Sequence, residues 1–235
     1  MNDEPLDTRV LMVVTSHDSI DEDTPTGLWL EEFARPYDAF VGQGYSVDVA
    51  SPAGGVIPID PRSEPDDAEK WEAARSRLRD TLRLSDVVSD RYEALFFPGG
   101  HGTMFDFPDD PDLQRIVAEV AETDRVIGAV CHGPAAFVNV VDGDGEPVVA
   151  GVKMTAFTDA EERDVGMEDA MPFLLESRLR ELGAEFVAEE PWSEHVEIDE
   201  TWITGQNPQS SQCVAEEVVH EIQERKTVEA GSARP

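Results

Sequence analysis

The sequence predicts an α/β domain built on a doubly wound, mostly parallel sheet. Three observations carry that expectation: short, continuously apolar runs rich in β-branched residues, amphipathic helical stripes between them, and two strands that end abruptly in a glycine-rich or a cysteine turn. Runs of this kind are buried on both faces, as in parallel sheets whose crossovers are helices.

Taken in order, residues 9–15 (RVLMVVT), 46–50 (SVDVA), 94–97 (ALFF) and 126–130 (VIGAV) read as such strands. Leu113, Ile116, Val117 and Val120 fall on one helical face, and Val214, Val218 and Ile222 repeat every four residues, so both stretches are amphipathic helices. Residues 195–204 (HVEIDETWIT) read as a hairpin, with Val196, Ile198 and Trp202 around the polar turn residues Asp199 and Glu200. Two segments break the rhythm. Residues 56–90 hold three prolines and then a stripe of Trp71, Ala74, Leu78 and Leu82, too much chain for an ordinary connection, and are expected to form a small lid or cap insertion. Residues 159–173 are expected as an acidic loop ahead of a helix near 171–182. Residues 1–225 are read as one domain and 226–235 as a frayed tail.

Composition narrows the function classes. The 235 residues carry 51 Asp and Glu against 18 Lys and Arg, a formal charge of −33, so phosphate backbones and acidic lipid surfaces are repelled. Only three of the cations are lysines, Lys70, Lys153 and Lys226, and the acids are spread over the whole length. This is the surface of a salt-adapted chain, because concentrated salt screens the self-repulsion. The charge describes the solvent, not the activity. Two cysteines make neither a disulfide framework nor a four-ligand zinc site. The acidic start, MNDEPLDTRV, fits neither a signal peptide nor a membrane span, which makes the cytoplasm the expected address. No nucleotide-binding loop and no set of metal-spaced ligands is present, so neither a cofactor nor a metal is expected.

The chemistry concentrates in two turns. AVCHGPAAF (129–137) places Cys131 at the end of an apolar strand and before small helix-compatible residues, which describes a strand-to-helix elbow above the carboxyl ends of the strands. Amide groups at a helix start near Gly133 are expected to favour the thiolate, with His132 as a neighbour. FFPGGHG (96–102) is a second strand ending in a glycine turn, where Gly99 and Gly100 are candidate oxyanion donors beside the His132 N–H, and His101 is placed to contact substrate or a partner subunit. Cys213 reads as a half-buried passenger, and His17 either lines the site or is a plain loop histidine.

These motifs resemble the ThiJ/PfpI superfamily, whose fold is flavodoxin-like and related to class I glutamine amidotransferases. The nearest branch is that of heat-shock chaperones with glutathione-independent glyoxalase III activity. The resemblance rests on TGLWLEEFARPYDAF (26–40), FFPGGHG, AVCHGPAAF, MTAFTDAEE (154–162) and TGQNPQS (204–210), and the insertion at 56–90 also fits that branch. It implies Cys131 as nucleophile, His132 as its neighbour, and Glu32 as an acid on a helix beginning near Thr26, with Glu31 on the solvated face. It also implies Glu162 as the acid orienting His132, with Glu161 and Asp159 as alternatives.

The implied reaction is cofactor-free conversion of a small 2-oxoaldehyde such as methylglyoxal to D-lactate, by a homodimer, with removal of glycation adducts from amino groups using the same residues. Three alternatives stand beside it. A stress-response holding chaperone would use Cys131 as a redox sensor, and a peptidase would need room that a lidded elbow lacks. An amidase of the glutamine amidotransferase kind would use His195 and Glu197, which strand alternation places together on a face expected to be solvent-exposed.

Overall fold

A computed structural model describes residues 8–67 and 69–232, so the expectations placed on residues 1–7 and 233–235 lie outside the described residues. The main sheet uses β1 (Arg9–Val13), β2 (Ser46–Ser51), β3 (Leu82–Arg83), β4 (Ala94–Phe97), β5 (Val126–Val130), β8 (Val196–Asp199) and β9 (Trp202–Gly205), with the short pair β6 (Lys153–Met154) and β7 (Glu185–Phe186) apart from it. Its order is β3-β2-β1-β4-β5-β9-β8. Every neighbour pair is parallel except β8 with β9, the expected hairpin. Strand order reverses between β1 and β4, and at such a switch point the loops beyond the strand ends diverge and leave a crevice for ligands.

Alternation along the strands explains the two cores. In β1, Val10 and Met12 face α1 (Leu30–Gly42) and α7 (Ser211–Ser232), while Leu11 and Val13 face the layer that contains α3 (Thr103–Asp106) and α4 (Pro111–Ala121). The α4 stripe Leu113, Ile116, Val117 and Val120 is wholly inside, and the helix starts where Asp110 accepts the Leu113 N–H with Pro111 at the first turn. On the other face Val214, Val218 and Ile222 of α7 are buried as expected. Gly128 in β5 lets that helix approach, since a Cβ there would stand 2.8 Å from both Phe96 and Val218.

Several expectations shift. The insertion contains α2 (Glu72–Arg77) and the edge strand β3, and its beginning is stitched to the chain before α1: the Leu28 N–H donates to Pro58 O and the Asp60 N–H to Leu28 O, both at 2.9 Å. It is therefore anchored in the sheet and beside the crevice, and its Arg62 reaches the cavity. The acidic stretch expected as a loop forms α5 (Asp159–Asp164), because Thr158 and Glu161 make a reciprocal capping box. The next helix, α6, runs over Leu175–Glu181. The first helix begins at Leu30, not near Thr26, and α7 continues past Lys226 to Ser232. Among the described residues no helix is long and apolar enough to cross a membrane.

Leu11 is fully buried at the centre of the sheet. Leu11→Ala should lower the free energy of unfolding by about 2–5 kcal/mol in denaturant titrations, the usual cost of a cavity at such a site.

Candidate active site

Cys131 immediately follows β5 with a φ of 58°, a left-handed conformation that a non-glycine residue adopts only under constraint. Two backbone bonds of 2.9 Å supply it: the Cys131 N–H donates to Gly205 O at the end of β9, and the Phe157 N–H donates to Cys131 O. The elbow is therefore clamped from both sides, and a tight 3₁₀ turn over Gly133–Phe137 follows in place of a full α-helix. Gly133 is required because a Cβ there would sit 2.0 Å from Phe97 O.

Glu32 projects from the first turn of α1 and is fully buried. Its Oε2 accepts the Gly99 N–H at 2.7 Å, so this amide, expected to face an oxyanion, is already committed to Glu32. The glycine is what permits the approach, since a Cβ at 99 would lie 2.6 Å from His132 N and 2.8 Å from Glu32 Oε2. Burial raises the Glu32 carboxyl to about 8, opposed by hydrogen bonding to the Cys131 thiol and to Gly99. Glu31, one position round the helix, pairs instead with Arg35 at the surface.

The thiol itself moves opposite to expectation. Burial, and then the Glu32 carboxylate, push the Cys131 thiol well above the ordinary range, and the His132 amide only partly offsets them. The expected thiolate-favouring helix start is a short 3₁₀ turn, so low dielectric dominates. Glu32 and Cys131 behave as a pair in which the presence of one negative charge disfavours the second.

Behind the thiol runs a chain of hydrogen bonds. Cys131 Sγ lies 3.3 Å from His132 Nδ1, and His132 Nε2 lies 2.7 Å from Glu162 Oε2. The other Glu162 oxygen, Oε1, is 2.8 Å from His101 Nε2, and His101 Nδ1 is 3.1 Å from the Arg62 guanidinium. Arginine has only donors, so His101 Nδ1 accepts and its Nε2 carries the proton given to Glu162. Burial, followed by the nearby His132, lowers His101 to about 4, which keeps it in that neutral form. Despite burial, the two histidines hold the Glu162 carboxyl well below the usual carboxylate range. Arg62 is fixed in turn by Asp60, which also accepts the Thr26 hydroxyl. His101, His132 and Glu162 have ligand-type atoms within 4.8 Å of one another, but these atoms already bond each other, so a metal ion would have to break the chain.

Of the three candidate acids, then, the fold brings Glu162 to His132. Asp159 accepts from Ser177 instead. Glu161 is fully buried, pairs with no cation among the described residues, and accepts from the Thr158 N–H and hydroxyl, the Trp192 N–H, Gln206 and Asn207. The motif TGQNPQS thus supplies two donors to Glu161 and, through Gly205, one clamp on the elbow. His195 and Glu197 do lie together, 3.2 Å apart, but are largely buried, not solvent-exposed, and Glu197 also pairs with Lys153. Neither lines the cavity over Cys131. His17 stacks on Phe105 outside that cavity, and Cys213 is partly buried in α7.

The cavity has a volume of about 340 Å³ and is lined by Cys131, His132, His101, Gly100 and Arg62 together with Trp29, Phe157, Val165, Met167, Trp192 and Pro208. Sequence reading missed Arg62, because its role depends on the insertion meeting the chain near Leu28. It also missed the apolar wall, whose members come from separate segments with no shared motif.

With this geometry in place, comparison with known proteins is informative. The pattern of the DJ-1/PfpI family matches residues 26–221. Glyoxalase 3 of Candida albicans is 33% identical over 228 residues, covering 90% of this chain and 97% of the relative. The glutathione-independent glyoxalase HSP31 of Saccharomyces cerevisiae is 30% identical, with 88% and 94% covered. The crystal structure of glyoxalase III from Candida albicans superposes with a TM-score of 0.82 at 31% identity, over 92% of this chain and 98% of that one.

Two outcomes follow from the Glu32–Cys131 pair. With a carboxyl raised from 4.5 to about 8, the folded chain holds more protons than the unfolded one between those values, so stability falls as pH rises through that window. Glu32→Gln abolishes this titration, and its melting temperature relative to wild type should climb between pH 5 and pH 9; a constant difference would contradict the assignment. Removing the carboxylate also relieves the thiol. The Cys131 thiolate absorbance, taken as the difference from Cys131→Ser, should therefore appear at lower pH in Glu32→Gln than in wild type.

Proposed function

The chain belongs to the DJ-1/PfpI family, and on that premise we propose that it is a glutathione-independent glyoxalase converting methylglyoxal to D-lactate. The observation that carries this reading is the buried Glu32 carboxyl, held by the Gly99 amide against the Cys131 thiol, with a pKa near the pH at which it must both take and give a proton.

The Cys131 sulfur adds to the aldehyde carbon, and its proton passes to the carbonyl oxygen, giving a hemithioacetal. The Gly100 and His132 amides serve the developing oxyanion, since the Gly99 amide is occupied by Glu32. Glu32 then removes the hydrogen from the former aldehyde carbon and returns a proton to the adjacent ketone carbon through an enediol, leaving a 2-hydroxy thioester. Water hydrolyses the thioester and restores the thiol. His132 moves the oxygen-bound protons, while ionised Glu162 holds its ring and stabilises the imidazolium. His101 and Arg62 keep Glu162 from swinging away. The same groups suit removal of a 2-oxoaldehyde from an amino group. We place the activity in a salt-rich cytoplasm, from the charge of −33, and in a homodimer, from the family resemblance.

The test is D-lactate formation from methylglyoxal without glutathione in molar KCl. Cys131→Ser and Glu32→Gln should each lose about 10³-fold or more in kcat/KM, and Glu162→Gln about 10- to 100-fold. A folded wild-type protein that makes no D-lactate overturns the reading.

A further inference from the structure

The cavity is larger than methylglyoxal requires. A molecule of five non-hydrogen atoms fills no more than about 150 Å³ at the roughly 30 Å³ per atom of liquid water, whereas the cavity offers about 340 Å³. The polar lining groups are already tied to one another through the chain from Cys131 to Arg62. What remains of the wall is Trp29, Phe157, Val165, Met167, Trp192 and Pro208, with no hydrogen-bonding group beyond the two indoles.

Trp192 is the most informative of these. Its backbone is left-handed, with φ 67°, a costly conformation for a bulky aromatic residue. Three contacts impose it: the Trp192 N–H donates to buried Glu161 at 2.8 Å, the indole Nε1 donates to Asp164 at 3.2 Å, and the ring meets Phe157 edge to face at 5.6 Å. Trp192 as a residue nevertheless stays 38% exposed while lining the cavity. An aromatic side chain held under strain, pinned at both backbone and ring, and left uncovered is a wall awaiting an apolar occupant.

Resting on the glyoxalase reading, we propose that this wall is a subsite for the substituent of the substrate, and that the enzyme prefers 2-oxoaldehydes carrying an aromatic group over methylglyoxal. A phenyl ring in place of the methyl raises the substrate to ten non-hydrogen atoms, about 300 Å³ by the same measure, which matches the cavity. The chemistry is unchanged and balances. The Cys131 sulfur adds to the aldehyde carbon of phenylglyoxal, the hydrogen of that carbon moves to the ketone carbon, and water releases mandelate.

The experiment compares initial-rate kcat/KM for phenylglyoxal, read as mandelate, with that for methylglyoxal, read as lactate, both by chiral chromatography. Wild type should favour phenylglyoxal by about 10-fold or more, the discrimination an apolar pocket supplies for added hydrocarbon. Trp192→Ala removes the wall and Met167→Trp fills the space, and each should lower the phenylglyoxal-to-methylglyoxal ratio by about 10-fold. A wild-type ratio below one, or a ratio unmoved by both variants, overturns the aromatic subsite. If methylglyoxal is still turned over in that case, the glyoxalase reading stands without it. A folded wild type inert toward both aldehydes overturns the two together.

Discussion

The site depends on the left-handed turn at Cys131 and on the two backbone bonds that hold it. Because Gly205 and Phe157 bind the N–H and the carbonyl of the same residue, the end of β9 and the segment leading to α5 are fixed relative to the end of β5. Glu162, five residues beyond Phe157, is thereby delivered to His132, and Gln206 and Asn207, just beyond Gly205, are delivered to Glu161. The strained residue is thus the common reference from which the two buried acids of α5 take their places. Glu162 meets the His132 imidazole, and Glu161 braces the wall over the cavity.

The first acid, Glu32, reaches the thiol by an independent route. It depends on three close backbone crossings: Gly27 against Pro58, Gly100 against Gly27, and Gly99 against His132. At Gly27 and Gly100 the backbone has a positive φ that side chains rarely adopt, 155° and 106°, and at all three glycines a Cβ would collide with backbone atoms. The glycine turn therefore serves to let a carboxyl in beside a sulfur more than to present amides to substrate. Its consequence is electrostatic. Two acids share one desolvated space: burial raises the proton affinity of both, the Glu32 carboxylate raises that of the thiol further, and the hydrogen bond from the thiol partly offsets the rise at Glu32.

Much of this was legible in the sequence wherever one local pattern carried one structural meaning. The apolar runs gave the strands, the four-residue stripes gave α4 and α7, and the two glycine or cysteine turns marked where chemistry gathers. The motifs, read by resemblance, named Glu32, Cys131, His132 and Glu162, which the fold brings together. What was not legible depends on segments distant in sequence. The amide of Gly99 looked available until Glu32 arrived from α1, and the thiol looked activated until its burial was known. Arg62 belongs to an insertion whose packing no periodicity encodes. The capping box of Thr158 and Glu161 was visible as residues, but in a chain acidic everywhere it did not stand out from solvated surface.

Glu161 is fully buried and accepts from the Thr158 and Trp192 amides and from Asn207, and Cys131, His132 and Glu162 are each no more than 4% exposed. Buried charges are screened by salt far less than exposed ones, so the ionic medium acts mainly on the exterior. The outer charge and the buried hydrogen-bond chain are therefore separable traits. Surface acids could be exchanged for lysines, or the reverse, without retuning the groups inside.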